Sequence, residues 1–182
     1  MVAWDGSTLL TTERLTLRTF RQDDLPHYHA LNADPEVARW LGGPLTREVS
    51  DEIAAWANEC VEDHGYGLVA VERTSDGAFL GMCGLHHQES QPDEVEIAWR
   101  LAHRHWGNGY ATEAGRAWLD HGFTAYALPR IVSMTDHDNL RSQAVMRRLG
   151  LAYERDVVVE DLGQTFDAVL WSLDRATWLS RR

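Results

Sequence analysis

An alternating run, Val95-Glu96-Ile97-Ala98-Trp99-Arg100-Leu101, is followed by Trp106-Gly107-Asn108-Gly109-Tyr110-Ala111-Thr112-Glu113-Ala114. The order reads as a strand, a tight glycine-bearing turn and the opening of a helix. Glycines there let the backbone bend and a ligand approach closely. The unpaired N–H groups and positive dipole end of the new helix then form an anion site suited to a pyrophosphate. A second segment, Asn139-Leu140-Arg141-Ser142, opens another helix further along, with an N-capping residue type at its head. Glu96 sits on the face of its strand opposite Val95, Ile97 and Trp99, so it is a carboxylate available for proton transfer.

Composition narrows the classes of function. The chain has 182 residues and a net charge of −11, with 44% hydrophobic and 25% charged residues. That length supports one domain, residues 1–182, with a core that needs no staples. No basic block is present, which argues against nucleic acid. No apolar run is long enough to span a membrane, and no basic-then-apolar leader is evident, so no membrane association is expected and the cytoplasm is the expected compartment. The acidic balance is compatible with a cationic amine as substrate. All 17 basic residues are arginine, which leaves no lysine side chain to modify, only the chain's own terminal amine. Cys60 and Cys83 are too few for a disulfide framework and read as buried thiols. The nine histidines raise the question of metal. His86-His87 and His103/His105 fall on expected loops and no Cys or Asp completes a ligand set, so none is expected.

The elements that must position these residues can be read in order. Leu15 and Leu17 alternate with Arg14, Thr16 and Arg18 as a first strand. Asp23-Asp24 starts a helix through Leu25, Tyr28 and Leu31, and Pro35 starts a shorter one. After the Gly42-Gly43-Pro44 loop, Thr46 begins a longer helix with Val49, Ile53, Trp56 and Cys60 on its inner face, ended by Gly65. Strands over 66–72 and 78–85 form a hairpin across Ser75-Asp76-Gly77. Gln91-Pro92-Asp93 separates them from the strand 94–101. The glycine turn leads into a helix to about Tyr126 with Ala111, Ala114 and Trp118 inward. A strand over 131–134, a helix over 139–149 closed by Gly150, a hairpin of 153–160 and 165–173 across Leu162-Gly163-Gln164, and a tail helix over 175–179 complete the chain. Trp40, Trp56, Trp118 and Trp171 read as core. The mixture predicts an α+β domain with a mixed, mostly antiparallel central sheet flanked by helices.

With these residues in view, the chain resembles the GCN5-related N-acetyltransferase (GNAT) superfamily, in the branch of the RimJ/RimL-like ribosomal-protein N-terminal acetyltransferases. The family pattern is Gln/Arg-x-x-Gly-x-Gly/Ala. Arg104-His105-Trp106-Gly107-Asn108-Gly109 fits the letters, while the count from the preceding strand favours Trp106-Gly107-Asn108-Gly109-Tyr110-Ala111, the register taken here. The resemblance extends from about Arg14 to Leu173. It implies a GNAT fold with two splayed parallel strands, 94–101 and 131–134. It also implies acetyl-CoA as co-substrate, its pyrophosphate on the amides of Gly107, Asn108, Gly109, Tyr110, Ala111 and Thr112 beside Trp106. The pantetheine arm would pair along Ile97, Ala98, Trp99 and Leu101. Asn139 would bond the pantetheine amide, and Ser142 would stand near the sulfur to protonate the departing thiolate. Many members carry a tyrosine seven residues after that asparagine; Met146 stands there instead, which moves the acid role to Ser142 or a water.

The proton acceptor is open between Glu96, matching strand carboxylates of some relatives, and Glu160 or Asp161, matching where others of the branch place an acid. His86 or His87 could line the acceptor cleft, ending the neighbouring strand, and Trp40 could wall it. The function implied is transfer of acetyl from acetyl-CoA to a primary amine, with a protein N-terminal α-amine favoured by the branch. Small-molecule amines, a larger acyl donor, or a non-catalytic CoA-binding module are the alternatives. A monomer or a homodimer fits equally.

Overall fold

The eight strands of the computed structural model lie in one sheet, ordered β1-β2-β3-β4-β5-β6-β8-β7. Residues 3–88, 91–161 and 163–182 are described. The strands are β1 (Thr8–Thr11), β2 (Leu15–Arg18), β3 (Leu68–Arg73), β4 (Ala78–Gln88), β5 (Gln91–Leu101), β6 (Arg130–Asp136), β7 (Ala152–Asp161) and β8 (Gln164–Asp174). The helices are α1 (Leu25–Ala33), α2 (Pro35–Ala38), α3 (Arg47–His64), α4 (Tyr110–Thr124), α5 (Leu140–Leu149) and α6 (Arg175–Ser180). This is the α+β, mostly antiparallel mixed sheet expected, with one parallel pairing, β5 to β6. The chain forms two compact units, Met1–Gly84 with Trp99–Ala117, and Leu85–Ala98 with Trp118–Arg182.

In the first unit, β2 pairs antiparallel with β3 and β3 with β4, and Leu15, Leu17, Val69, Ala70, Val71 and Leu80 are fully buried. The hairpin turn falls at Ser75–Gly77, where Gly77 has φ +68°. Arg18, a charged residue at the end of β2, is buried. Its guanidinium meets Asp24 at 2.7 Å and Glu72 at 2.8 Å, so the charge enters the interior already neutralised. Thr46 caps α3 through Val49 N–H, and Gly65 closes it at φ +77°. The buried face of α3 is Ser50, Ala54, Ala57 and Asn58, one step round from the expected stripe. Trp56 is 40% exposed. The shift follows from Asn58, whose side chain holds both Phe20 N–H and Phe20 C=O, so a polar residue occupies the inner face.

In the second unit, β8 lies between β6 and β7 and is antiparallel to both. Trp118, Phe123, Ile131, Val132, Met146 and Leu170 are fully buried there. Gly122 allows close packing, since a Cβ there would stand 2.9 Å from Ile131 and 3.0 Å from Leu85. Two expectations need correction. Gln91-Pro92-Asp93 is not a connection but the first part of β5, Pro92 sitting near the strand's start where a missing donor is tolerated. Correspondingly β4 runs through His86 and His87, which are strand rather than loop residues. Leu162, in the turn of the last hairpin, lies outside the described residues.

Candidate active site

The glycine turn is built by local hydrogen bonds and one long-range strap, all within the first unit. A 3-10 turn at His103–His105 ends β5's run, and Trp106 folds back so that its Nε1–H donates to Leu101 C=O at 2.7 Å. Gly107 and Gly109 take φ +79° and +82°, the left-handed region in which a side chain is strained. Between them, the Asn108 amide donates to His105 C=O and Trp106 C=O, each at 3.1 Å. The helix α4 opens at Tyr110, and Glu113 N–H to Gly109 C=O, 3.0 Å, is its first bond. The amides just ahead of Glu113 thus have no helical acceptor, as at any helix start.

What the sequence did not disclose is how this turn is held. Glu113 Oε1 accepts from Thr12 Oγ1–H at 2.6 Å and Arg14 N–H at 2.9 Å, and Oε2 accepts from Arg14 Nε–H at 2.6 Å. Arg14 Nη1–H also donates to Asn108 C=O at 3.1 Å, and the guanidinium lies 4.8 Å from the Tyr110 ring centroid. Burial alone would raise the Glu113 carboxyl, but the donors from Thr12 and Arg14 outweigh it and hold it below its ordinary range. An acid in a helix's first turn and an arginine beside the first strand are the only traces of this in the sequence. A Cβ on Gly107 would meet nothing within 4 Å, and one on Gly109 only Arg14 Nη2 at 3.6 Å. Open space beside the turn, main-chain donors and an arginine fit a diphosphate.

The second unit holds the chemistry-bearing side chains. The β5–β6 pairing is carried by a single register position among the described residues, Glu96 opposite Val132. By contrast β6 and β8 match over seven, from Arg130–Asp174 to Asp136–Ala168. The two parallel strands therefore diverge, as expected of the splayed pair. Glu96 explains part of the gap: its Oε1 accepts from Met134 N–H at 3.0 Å, taking a donor that a continued ladder would give to a β5 carbonyl. Glu96 is 5% exposed, and its Oε2 lies 3.4 Å from His86 Nε2. His86 was read as one of two histidines that could line a cleft; the structure places it against the carboxylate. Ile97 is fully buried, while Ala98 and Trp99 are half-buried.

Asn139 caps α5, its Oδ1 accepting from Ser142 N–H at 3.1 Å, which leaves the amide NH2 as a donor. Ser142 is half-buried in that first turn. Met146 is fully buried, so the position that carries tyrosine in many relatives is core here. Glu160 is exposed on β7 opposite Thr165. The row containing Glu96 runs through Val132 and Ser172, seven residues further along β8 than Thr165, or roughly 23 Å at about 3.3 Å per residue. The structure does not bring the two carboxylates together. Asp161 is the last residue of β7 and its side chain lies outside the described residues. Cys83 is buried and Cys60 half-buried, both free, and burial pushes both thiols up. Among the described residues no group of three or more His, Cys, Asp or Glu is placed to hold a metal, and no helix is long and apolar enough to cross a membrane.

Comparison with known proteins shows the family and the fold. The family described as "Acetyltransferase (GNAT) domain" matches residues 14–152. The uncharacterized protein YkkB of Bacillus subtilis is 32% identical over 155 residues, 84% of this chain and 90% of its own. Spermidine N(1)-acetyltransferase of Escherichia coli is 26% identical, over 79% of this chain and 76% of its own. A crystal structure of an acetyltransferase from Agrobacterium tumefaciens superposes with a TM-score of 0.79 at 29% identity, covering 90% and 92% of the two chains. The chain belongs to the GNAT family and is an acyl-CoA-dependent N-acetyltransferase.

Proposed function

We propose that this enzyme transfers the acetyl group of acetyl-CoA directly to a primary amine of low basicity, an N-terminal α-amine of the kind that RimJ/RimL-like enzymes modify. The observation that carries the reading is the glycine turn at the head of α4, strapped by Arg14 and Glu113 so that its amides stay presented. Amide bonds to a charged oxygen contribute roughly 1.5–3 kcal/mol each, enough for several to anchor a diphosphate without lysine. In this reading Trp106 shapes the turn, and Gly107, Asn108, Gly109, Tyr110, Ala111 and Thr112 supply the donors. The pantetheine runs along Ile97, Ala98, Trp99 and Leu101 as an added strand. Asn139 uses its free amide hydrogens on the pantetheine.

The amine nitrogen attacks the thioester carbonyl, the C–S bond breaks, and the thiolate takes a proton from Ser142 or a water beside it. Glu96 receives the amine's proton through water. Glu160, so far along the sheet, is not needed for that proton. An α-amine, with a pKa near 7.7–8.0 against about 10.4 for lysine, offers a few hundredfold more free base at neutral pH, roughly 200- to 400-fold. A second reading, a small polyamine as acceptor, is favoured by the net charge of −11 and by the spermidine acetyltransferase relative. Mass spectrometry after incubation with acetyl-CoA, using peptides with free N-termini beside spermidine and lysine peptides, decides between them. Acetyl on the peptide N-terminus supports the first reading; acetyl on spermidine alone replaces it with the second.

A further inference from the structure

We propose that His86 and Glu96 form one proton-accepting pair, with His86 as the positioning residue on which the amine's proton comes to rest. The inference rests on Glu96 as the carboxylate that first receives that proton. His86 Nδ1 lies 3.1 Å from the carbonyl oxygen of His87. A carbonyl can only accept, so Nδ1 carries the hydrogen. In the neutral ring Nε2 then carries no hydrogen, and it lies 3.4 Å from Glu96 Oε2, itself an acceptor. Two lone pairs confront one another across a gap that a single proton closes. The other Glu96 oxygen is fixed by Met134 N–H at 3.0 Å, so the carboxylate has a defined place for one shared proton and little freedom to turn from it.

Burial makes this pairing consequential. The two side chains are only 11% and 7% exposed, so water screens their attraction weakly. A neighbouring carboxylate raises an imidazole's affinity for a proton. The other titratable or charged residues on the three strands are Cys83 and His87 on β4, Asp93, Glu94 and Arg100 on β5, and Arg130 and Asp136 on β6. Arg130 is engaged by Glu94 at 3.2 Å and Glu154 at 2.7 Å, so its charge is met by carboxylates other than Glu96.

Through a turnover, the N–H bond of the attacking amine breaks and its proton passes by water to Glu96 and on to His86 Nε2, giving an imidazolium–carboxylate pair. The thiolate leaving the broken C–S bond gains a proton from Ser142 or water. Release of the pair's proton to solvent after the amide departs balances that gain, and no redox partner is involved. A carboxylate alone would end this sequence as an uncharged acid of low proton affinity; the pair ends it with the proton held.

The test is a two-part measurement on the full-length enzyme. NMR titration of the His86 ring, assigned by its loss in His86→Gln, is compared between wild type and Glu96→Gln. We expect the midpoint to fall by at least one pH unit when the carboxylate is removed. In steady-state kinetics, His86→Gln should lower kcat by about 10- to 100-fold, leave KM for acetyl-CoA within about twofold, and move the acid limb of the kcat profile to lower pH by at least one unit. An unmoved titration in Glu96→Gln overturns the pair whatever the acceptor proves to be. A His86→Gln enzyme at full speed with an unmoved limb overturns it too. If Glu96→Gln turns over at the wild-type rate while the titration still shifts, Glu96 is not the base and the relay falls with it, although the shared proton stands.

Discussion

In the proposed mechanism Gly109 and Ser142 answer separate demands, holding the donor and breaking its thioester. Valine at position 109 would have to adopt φ +82°, an outlier for a β-branched side chain, costing more than the ~1–2 kcal/mol of an ordinary residue there. Relief comes by turning the local peptide planes, which aims the amides away from the diphosphate. Isothermal titration should show the Kd for acetyl-CoA raised at least about tenfold, the equivalent of ~1.4 kcal/mol. Unchanged affinity would remove Gly109 from the cradle. Ser142→Ala leaves the Asn139 cap in place, because the cap uses the Ser142 main-chain N–H. It should therefore lower kcat by about 10- to 100-fold while donor KM moves less than threefold; a variant at full turnover makes water the acid. Both residues were open to a sequence-based expectation, since a glycine turn and Asn-x-x-Ser at a helix head are visible in residue type and spacing. His86 was not, because its meaning lies in a partner ten positions away on the next strand, a pairing that no local pattern encodes.

At the level of elements, periodicity located most of the strands and helices but misjudged where polar residues turn inward. The alternation points to a strand ending at Leu85, because His86-His87-Gln88 breaks the apolar pattern, whereas β4 continues to Gln88. Helix α3 was rotated because Ser50 and Asn58 occupy its inner face and make hydrogen bonds there. In each case a buried polar side chain with a partner looks, in sequence, like an exposed one. The strap on α4 is the same kind of feature. Replacing Glu113 with alanine removes the acceptor for Thr12 Oγ1–H and for Arg14 N–H at once, and should cost about 1–3 kcal/mol of unfolding free energy in urea at neutral pH. The pH dependence follows from a folded carboxyl held below its ordinary 4.5. Such a group contributes fully above that value and loses its contribution as pH falls through the lower, folded one. The gap between wild type and Glu113→Ala should therefore be constant above about pH 5.5 and close progressively below 4.5. A gap that persists undiminished at pH 3 would mean the strap is held by shape rather than charge.

For the molecule as a whole, charge is the property that bears on which amine arrives. The chain carries −11, all its cations are arginine, and many of those are committed to carboxylates, as Arg14, Arg18, Arg73 and Arg130 are. The anionic donor approaches against this field, which the proposed cradle of oriented amides would offset, whereas a cationic acceptor is drawn along it. Added salt shortens the reach of both effects, the screening length falling from about 10 Å at 0.1 M to about 3 Å at 1 M. Salt should consequently strengthen acetyl-CoA binding modestly and leave kcat nearly untouched. For the acceptor the two candidate classes part company. A polyamine carries several charges, and its kcat/KM should fall roughly tenfold or more between 50 and 500 mM NaCl, as steered associations do. A peptide whose only relevant group is a single α-amine, at most one positive charge, has little to be steered by and should change by less than about threefold. Measured on one enzyme preparation with both acceptors, a steep loss for the peptide and a flat profile for the polyamine would contradict the electrostatic account. A steep loss for the polyamine alone, with the peptide faster at every salt concentration, would place the α-amine as the acceptor this site is built for.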